Sequence, residues 1–362
     1  MNSTKVGITK FRYDPALDGW RAISIALVVI SHAGTGKIIP GGLGVTIFFF
    51  ISGYLITSLL LMEWNRNGEV SLASFYLRRF WRLAPPLIVY ILLSALLILF
   101  IQRTFPFKEM FASLFYFANY YQLFWHFQEL RGISSPLKIL WSLAIEEHYY
   151  LFFAPIFVFA IRRSQVLISI ILVLCFAPLV WRCSLILVNP IDWLSTGYTY
   201  MATEARIDSI AWGALLAWLK VTYGLAGIAK IFDNKYIVLG SIAILIFCLV
   251  DRDVAFRESF RYSLQGLALM SIFFTSLYGR WSNFSRNILE TKPFVWLGKM
   301  SYSLYLYHWL ALVLAGLLFE VRFGLGWQML YWPLSFLLAS ASYYYVEHPM
   351  LKIRKRFGSK AE

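Results

Sequence analysis

The amino-acid sequence predicts an all-α protein, a polytopic membrane bundle of about ten transmembrane helices with both termini in the cytoplasm. Charged residues are only 14% of the 362, against roughly 25% in an average soluble domain, and 59% are hydrophobic. Apolar runs recur along the whole length, at 87–101, 166–180, 237–250 and 304–319. Extended by their flanks to about 20 residues, such runs are long enough to cross the hydrocarbon layer as helices. Basic residues, finally, alternate in density from one connecting segment to the next.

Taken in order, the spans fall at 15–34, 43–62, 83–101, 139–161, 166–188, 207–222, 235–250, 262–279, 300–319 and 327–346. The aromatic stretch 110–127 adds a re-entrant or interfacial element. The polar start of the chain lacks the short apolar core and cleavage site of a signal peptide, so none is expected. No repeat of fixed period and no soluble appendix stands out. The expected division is a cytoplasmic tail at 1–14, a transmembrane domain at 15–346 and a basic cytoplasmic tail at 347–362. Lys and Arg number 21 on the side of the two tails and 11 on the other, with Arg21 inside the first span completing the 33. This bias puts both termini in the cytoplasm. The net charge of +14 is then a topology signal, with attraction to anionic membrane lipid as a by-product. It requires no nucleic-acid partner. Cys175, Cys183 and Cys248 have the spacing of neither a metal site nor a disulfide framework and read as packing residues.

The first span raises a question of chemistry. In "LDGWRAISIALVVISHAG" (17–34), Arg21 and His32 bracket an apolar run. Eleven helical residues turn through ~1100° and rise ~16 Å, so both side chains share one face. Ionisable groups at such depth are costly unless they face protein or a water-filled cavity. Snorkelling by Arg21 and an internal hydrogen bond for His32 would account for each alone. Both on one stripe, followed by the glycine-rich "GTGKIIPGGLG", indicate a polar channel running inward from the cytoplasm.

Further motifs follow in order: "GVTIFFFISGYLIT" (44–57), "YLRRFWRLAPPL" (76–87), "WSLAIEEHYYLFFAP" (141–155), "RIDSIAWGALLAW" (206–218), "SYSLYLYHW" (301–309) and "YYYVEHPMLK" (343–352). With the Arg-x10-His pair Arg21 and His32, and the Arg-x-x-Arg pair Arg79 and Arg82, the chain resembles the acyltransferase-3 family of integral membrane acyltransferases over nearly its whole length. The resemblance implies a catalytic histidine at His32.

Acyl transfer from a thioester to a hydroxyl needs a base or nucleophile, stabilisation of the oxyanion and a grip on the donor. Histidine suits the first task because it titrates near neutrality; an acyl-histidine intermediate and direct general-base attack both remain open. Coenzyme A carries a diphosphate and a ribose phosphate. Arg79 and Arg82, at the cytoplasmic mouth of the third span beside Arg78, would grip these in bidentate fashion with help from Arg21. The plainer reading of an arginine cluster there is a topology anchor. Glu146 and Glu147 point about 100° apart on one helix. Glu147 is expected to orient His32 or bind the acceptor hydroxyl, the alternative being a structural ion pair. His148 is assigned no role. Arg206 and Asp208 do not face each other and need other partners, either structural ones or the acceptor. Tyr302, Tyr305 and His308 form a stripe along the ninth span, of which Tyr302 and His308 are candidate cavity residues. Glu347 and His348 are expected to mark the end of the last span and bind nothing. The five histidines lack metal-ligand spacing, so no metal is expected.

The function expected is transfer of an acyl group, acetyl first, from cytoplasmic acyl-coenzyme A as co-substrate to a hydroxyl of a glycan or lipid-linked glycan at a bacterial inner membrane. The resemblance alone supplies the acceptor types: O-antigen, exopolysaccharide, lipo-oligosaccharide or macrolide. An ion-coupled transporter is the rival, since intramembrane Arg, His and Glu also suit transport.

Overall fold

The computed structural model describes residues 13–188 and 197–354. The outer parts of both tails, and with them part of the charge that argues for cytoplasmic termini, lie outside the described residues.

Each predicted span is a helix. In chain order these are α1 (Pro15–Ile30), α2 (Gly41–Asn67), α3 (Leu72–Gln102), α4 (Trp141–Ala160), α5 (Ser164–Val188), α6 (Asp208–Phe232), α7 (Lys235–Val250), α8 (Arg261–Tyr278), α9 (Ser301–Leu318) and α10 (Leu325–Ser342). No strand occurs among the described residues. Seven helical stretches are long and apolar enough to cross a membrane: those built on α1 to α6 and α9. The chain is thus a helical membrane bundle. Of the remaining three, α7 is 16 residues long, and α8 and α10 are 18 each.

Local signals in the sequence set the boundaries. Asp14 caps α1, its side chain accepting from the Ala16 amide, with Pro15 at the first position. Gly68 ends α2 at φ 74°, a left-handed conformation that glycine adopts without steric cost. Gly224, at φ 71° and ψ 167°, breaks the helical conformation of α6, two residues past the end of the span read from the sequence. Beyond α1 and α10 the chain winds into two π-helical turns, Ser31–Thr35 and Tyr343–Glu347. Such turns recur at functional sites, and the first carries His32. The aromatic stretch forms two short helices, Phe107–Leu114 and Ala118–Phe124, with Phe107, Phe111, Phe124 and Trp125 exposed. Neither is long enough to cross.

Packing centres on α2 and α6, which cross at glycines. A Cβ on Gly53 would lie 1.9 Å from the Ile210 carbonyl oxygen, and one on Gly213 would lie 1.9 Å from that of Phe50. In lipid, where apolar burial drives helices together only weakly, such close backbone approach is what holds them. Outward-facing Leu92, Leu93, Leu96 and Phe100 of α3 are exposed, as expected of a lipid-facing surface.

Candidate active site

A cavity of about 620 Å³ runs between α1, α2, α3, α4 and α9. Along α2 it is lined by Val45, Phe48, Ser52, Leu55 and Leu59, three or four residues apart. The fourteen helical steps from Val45 to Leu59 make it ~21 Å long. Tyr13, Asp14 and Lys299 border one end, and Val45, Ser142 and Tyr305 the other. The first end is the one expected from the sequence on the cytoplasmic side.

Three arginines singled out in the sequence meet in its wall: Arg21, Arg79 and Arg82. Arg21 donates to the Asp18 carboxylate at 3.0 Å. The Arg79 guanidinium lies over the Tyr150 ring, 3.4 Å from its centre, and its Nε has no hydrogen-bond partner among the described residues. Arg78 instead donates to Glu63 at 3.0 Å and serves packing of the α2–α3 turn. Tyr302 also lines the cavity, its hydroxyl donating to the Leu83 carbonyl at 2.9 Å.

His32 and His308 come together beyond the inner end. His32 Nδ1 lies 3.0 Å from His308 Nε2, and His308 Nδ1 lies 2.9 Å from the Leu304 carbonyl oxygen. Trp309 flanks His32 edge-on at 4.9 Å between ring centres. Neither histidine lines the cavity. The link is Tyr305, a lining residue whose ring centre is 5.9 Å from that of His308. The single channel expected from Arg21 to His32 is therefore a cavity that stops about one helical turn short of the histidine pair.

The model of a family described as an acyltransferase domain matches residues 14–345. The chain belongs to the acyltransferase-3 family. It is 29% identical over 353 residues to the peptidoglycan O-acetyltransferase OatA of Listeria monocytogenes, covering 94% of the chain and 56% of that protein. It is 30% identical over 358 residues to the O-acetyltransferase OatA of Staphylococcus aureus, covering 94% of the chain and 58% of that protein. The chain thus spans a little over half the length of these curated relatives. No solved structure matches it.

Within this acyltransferase-3 domain several expected residues stand elsewhere than the sequence suggested. Glu147 is not the hydrogen-bond partner of His32; His308 occupies that place. Glu147 Oε1 is buried without a hydrogen-bond partner among the described residues, while its neighbour Glu146 lines the cavity and accepts from the Tyr150 hydroxyl at 3.1 Å. Adjacent positions on a helix diverge by about 100°, and hydropathy cannot tell which of the two turns inward. Asp208 is tied up structurally. It accepts from Arg182 Nη2 at 2.8 Å, from the Ser263 hydroxyl at 2.5 Å and from the Ser209 amide at 2.8 Å. Arg182 in turn donates to the backbone carbonyls of Ser259 and Ala205. A buried pair survives only when its remaining hydrogen bonds are met, and here they are. Arg206 is fully buried away from the cavity, 3.7 Å above the Tyr262 ring.

Several cavity residues escaped the sequence reading, Asp18, Ser52 and Lys299 among them. Glu347 and His348, expected to bind nothing, both line the cavity. Glu347 is buried in its wall and accepts from Ser303 at 2.7 Å. The π-helical turn that ends at Glu347 rotates it inward, and no residue pattern announces such a turn.

Proposed function

We propose that this chain is the membrane domain of an O-acetyltransferase, crossing the membrane ten times with both termini in the cytoplasm. It takes an acetyl group from cytoplasmic acetyl-coenzyme A and passes it to a hydroxyl of a cell-envelope glycan. The observation that carries the reading is the long cavity, open where the charge pattern puts the cytoplasm, lined by Arg21, Arg79 and Arg82, and stopping about one helical turn short of the His32–His308 pair. Guanidinium groups at its wall suit the phosphates of coenzyme A. A slender cavity about 21 Å long suits an extended pantetheine arm. The relatives' name nominates peptidoglycan as the glycan, ahead of the O-antigen and exopolysaccharide expected from resemblance.

In this scheme His32 removes the proton of the acceptor hydroxyl. The hydroxyl oxygen bonds to the acyl carbon, the carbon–sulfur bond breaks, and the departing thiolate takes the proton from His32. Half-buried, and beyond the inner end of the cavity, His32 can meet an acceptor arriving from the outer side.

The test uses the protein in lipid nanodiscs. Coenzyme A should bind, and acetyl groups from acetyl-coenzyme A should appear as esters on peptidoglycan fragments. His32→Ala should cut turnover at least 10²-fold while leaving coenzyme A binding intact. Absence of coenzyme A binding would return the chain to the transporter reading, and near-normal turnover in His32→Ala would remove His32 from the chemistry.

A further inference from the structure

We infer that His308 is a positioning residue that fixes the protonation of His32, holding its proton on Nδ1 and leaving the Nε2 lone pair as the working atom. The consequence for catalysis rests on the function proposed above; the protonation pattern itself rests only on geometry. His308 is fully buried, and its Nδ1 lies 2.9 Å from the Leu304 carbonyl oxygen. A carbonyl can only accept, so Nδ1 of His308 carries the hydrogen. A neutral imidazole then has a bare Nε2, and that nitrogen lies 3.0 Å from His32 Nδ1. Two lone pairs facing each other at this distance would repel, so His32 Nδ1 must donate. Which nitrogen of a histidine is free is set by the bond the other one makes.

Ring geometry supports a directed bond. The two imidazoles are inclined by only 4°, yet their centres are 5.3 Å apart while the facing nitrogens are 3.0 Å apart. Rings stacked face to face would have similar centre and atom separations. These lie edge to edge in one plane, with the Nε2 lone pair of His308 pointing at the Nδ1 hydrogen of His32. A second proton on His308 would set two donors against each other, so the bond requires His308 neutral. When His32 Nε2 takes up the hydroxyl proton, the positive charge formed is shared toward a neutral acceptor already in place. Leu304, one turn earlier on α9, anchors the whole arrangement to rigid backbone.

Nitrogen-15 solid-state NMR of histidine-labelled wild-type protein in bilayers reads the tautomers directly, with resonances assigned by their loss in His32→Ala and in His308→Leu. Both histidines should show a protonated Nδ1 and an unprotonated Nε2. A protonated Nε2 on neutral His32 overturns the inference whatever the activity of the protein. In kinetics, His308→Leu should lower kcat roughly 10²-fold or more, as loss of an orienting partner does elsewhere, with both KM values within about two-fold. His308→Gln, whose amide oxygen accepts in place of Nε2, should recover at least about ten-fold of that loss. An unchanged kcat in His308→Leu, or a loss confined to KM, would overturn the positioning role. If His32→Ala itself retained turnover, the proposed function would fall, while the NMR result would still decide the tautomer.

Discussion

Arg79 and Arg82 reach the cavity from the first turns of α3, while Arg78 between them and Leu77 turns to Glu63. One residue of offset thus separates a cavity-lining cation from a structural one. Arg79→Ala and Arg82→Ala should each raise KM for acetyl-coenzyme A about ten-fold or more, since a charge-assisted hydrogen bond is worth roughly 1.5–3 kcal/mol. KM for the acceptor should move little, and Arg78→Ala should leave both unchanged. Equal KM shifts for donor and acceptor would show the cluster to be a general support. At Asp208 the expectation is for stability. Asp208→Asn leaves the Arg182 guanidinium with no balancing charge in the bundle, and removing one partner of a buried pair costs about 3–5 kcal/mol. A markedly lower melting temperature in detergent is expected, with coenzyme A affinity unchanged in the protein that remains folded. A melting temperature equal to wild type would mean that Asp208 does not balance Arg182.

At the scale of the helices, the α2–α6 crossing limits what the sequence can change. The atoms facing Gly53 and Gly213 are backbone oxygens, which cannot swing aside as a side chain could. Gly213→Ala should therefore push the helices apart at a cost of about 1–3 kcal/mol. Because α2 also lines the cavity from Val45 to Leu59, the same change should weaken coenzyme A binding. Gly240→Ala on α7 is the control: a Cβ there meets nothing within 4 Å, and melting should not fall. Equal melting temperatures for the two variants would mean that the crossing is looser than the structure gives it.

For the whole molecule the exposed claim is sidedness. In the function proposed, donor and acceptor enter from opposite faces, with His32 between them. In oriented vesicles, acceptor on the lumenal or periplasmic side should be modified only when acetyl-coenzyme A is supplied on the cytoplasmic face. Lys37→Cys and Lys230→Cys, both at exposed positions, should label from outside and inside respectively. Labelling of both from the same side would break the ten-span count. Donor working only from the outer face would overturn the orientation and, with it, the entry of coenzyme A through the arginine-lined end.

Hydropathy is a sum over neighbours along the chain. That is why the sequence alone determined the helical bundle and the position of each helix. The helical period also placed Arg21 on an inward face, and the motifs marked the arginines that share the cavity. Pairing is of another kind. His32 and His308 are 276 positions apart, Asp208 and Arg182 are 26 apart on different helices, and each contact depends on how helices rotate and cross. The inward turn of Glu146 rather than Glu147, and of Glu347 at its π-helical turn, was decided by the same packing. A membrane helix buries any apolar face equally well in lipid or protein, so its sequence leaves that rotation open until its neighbours fix it.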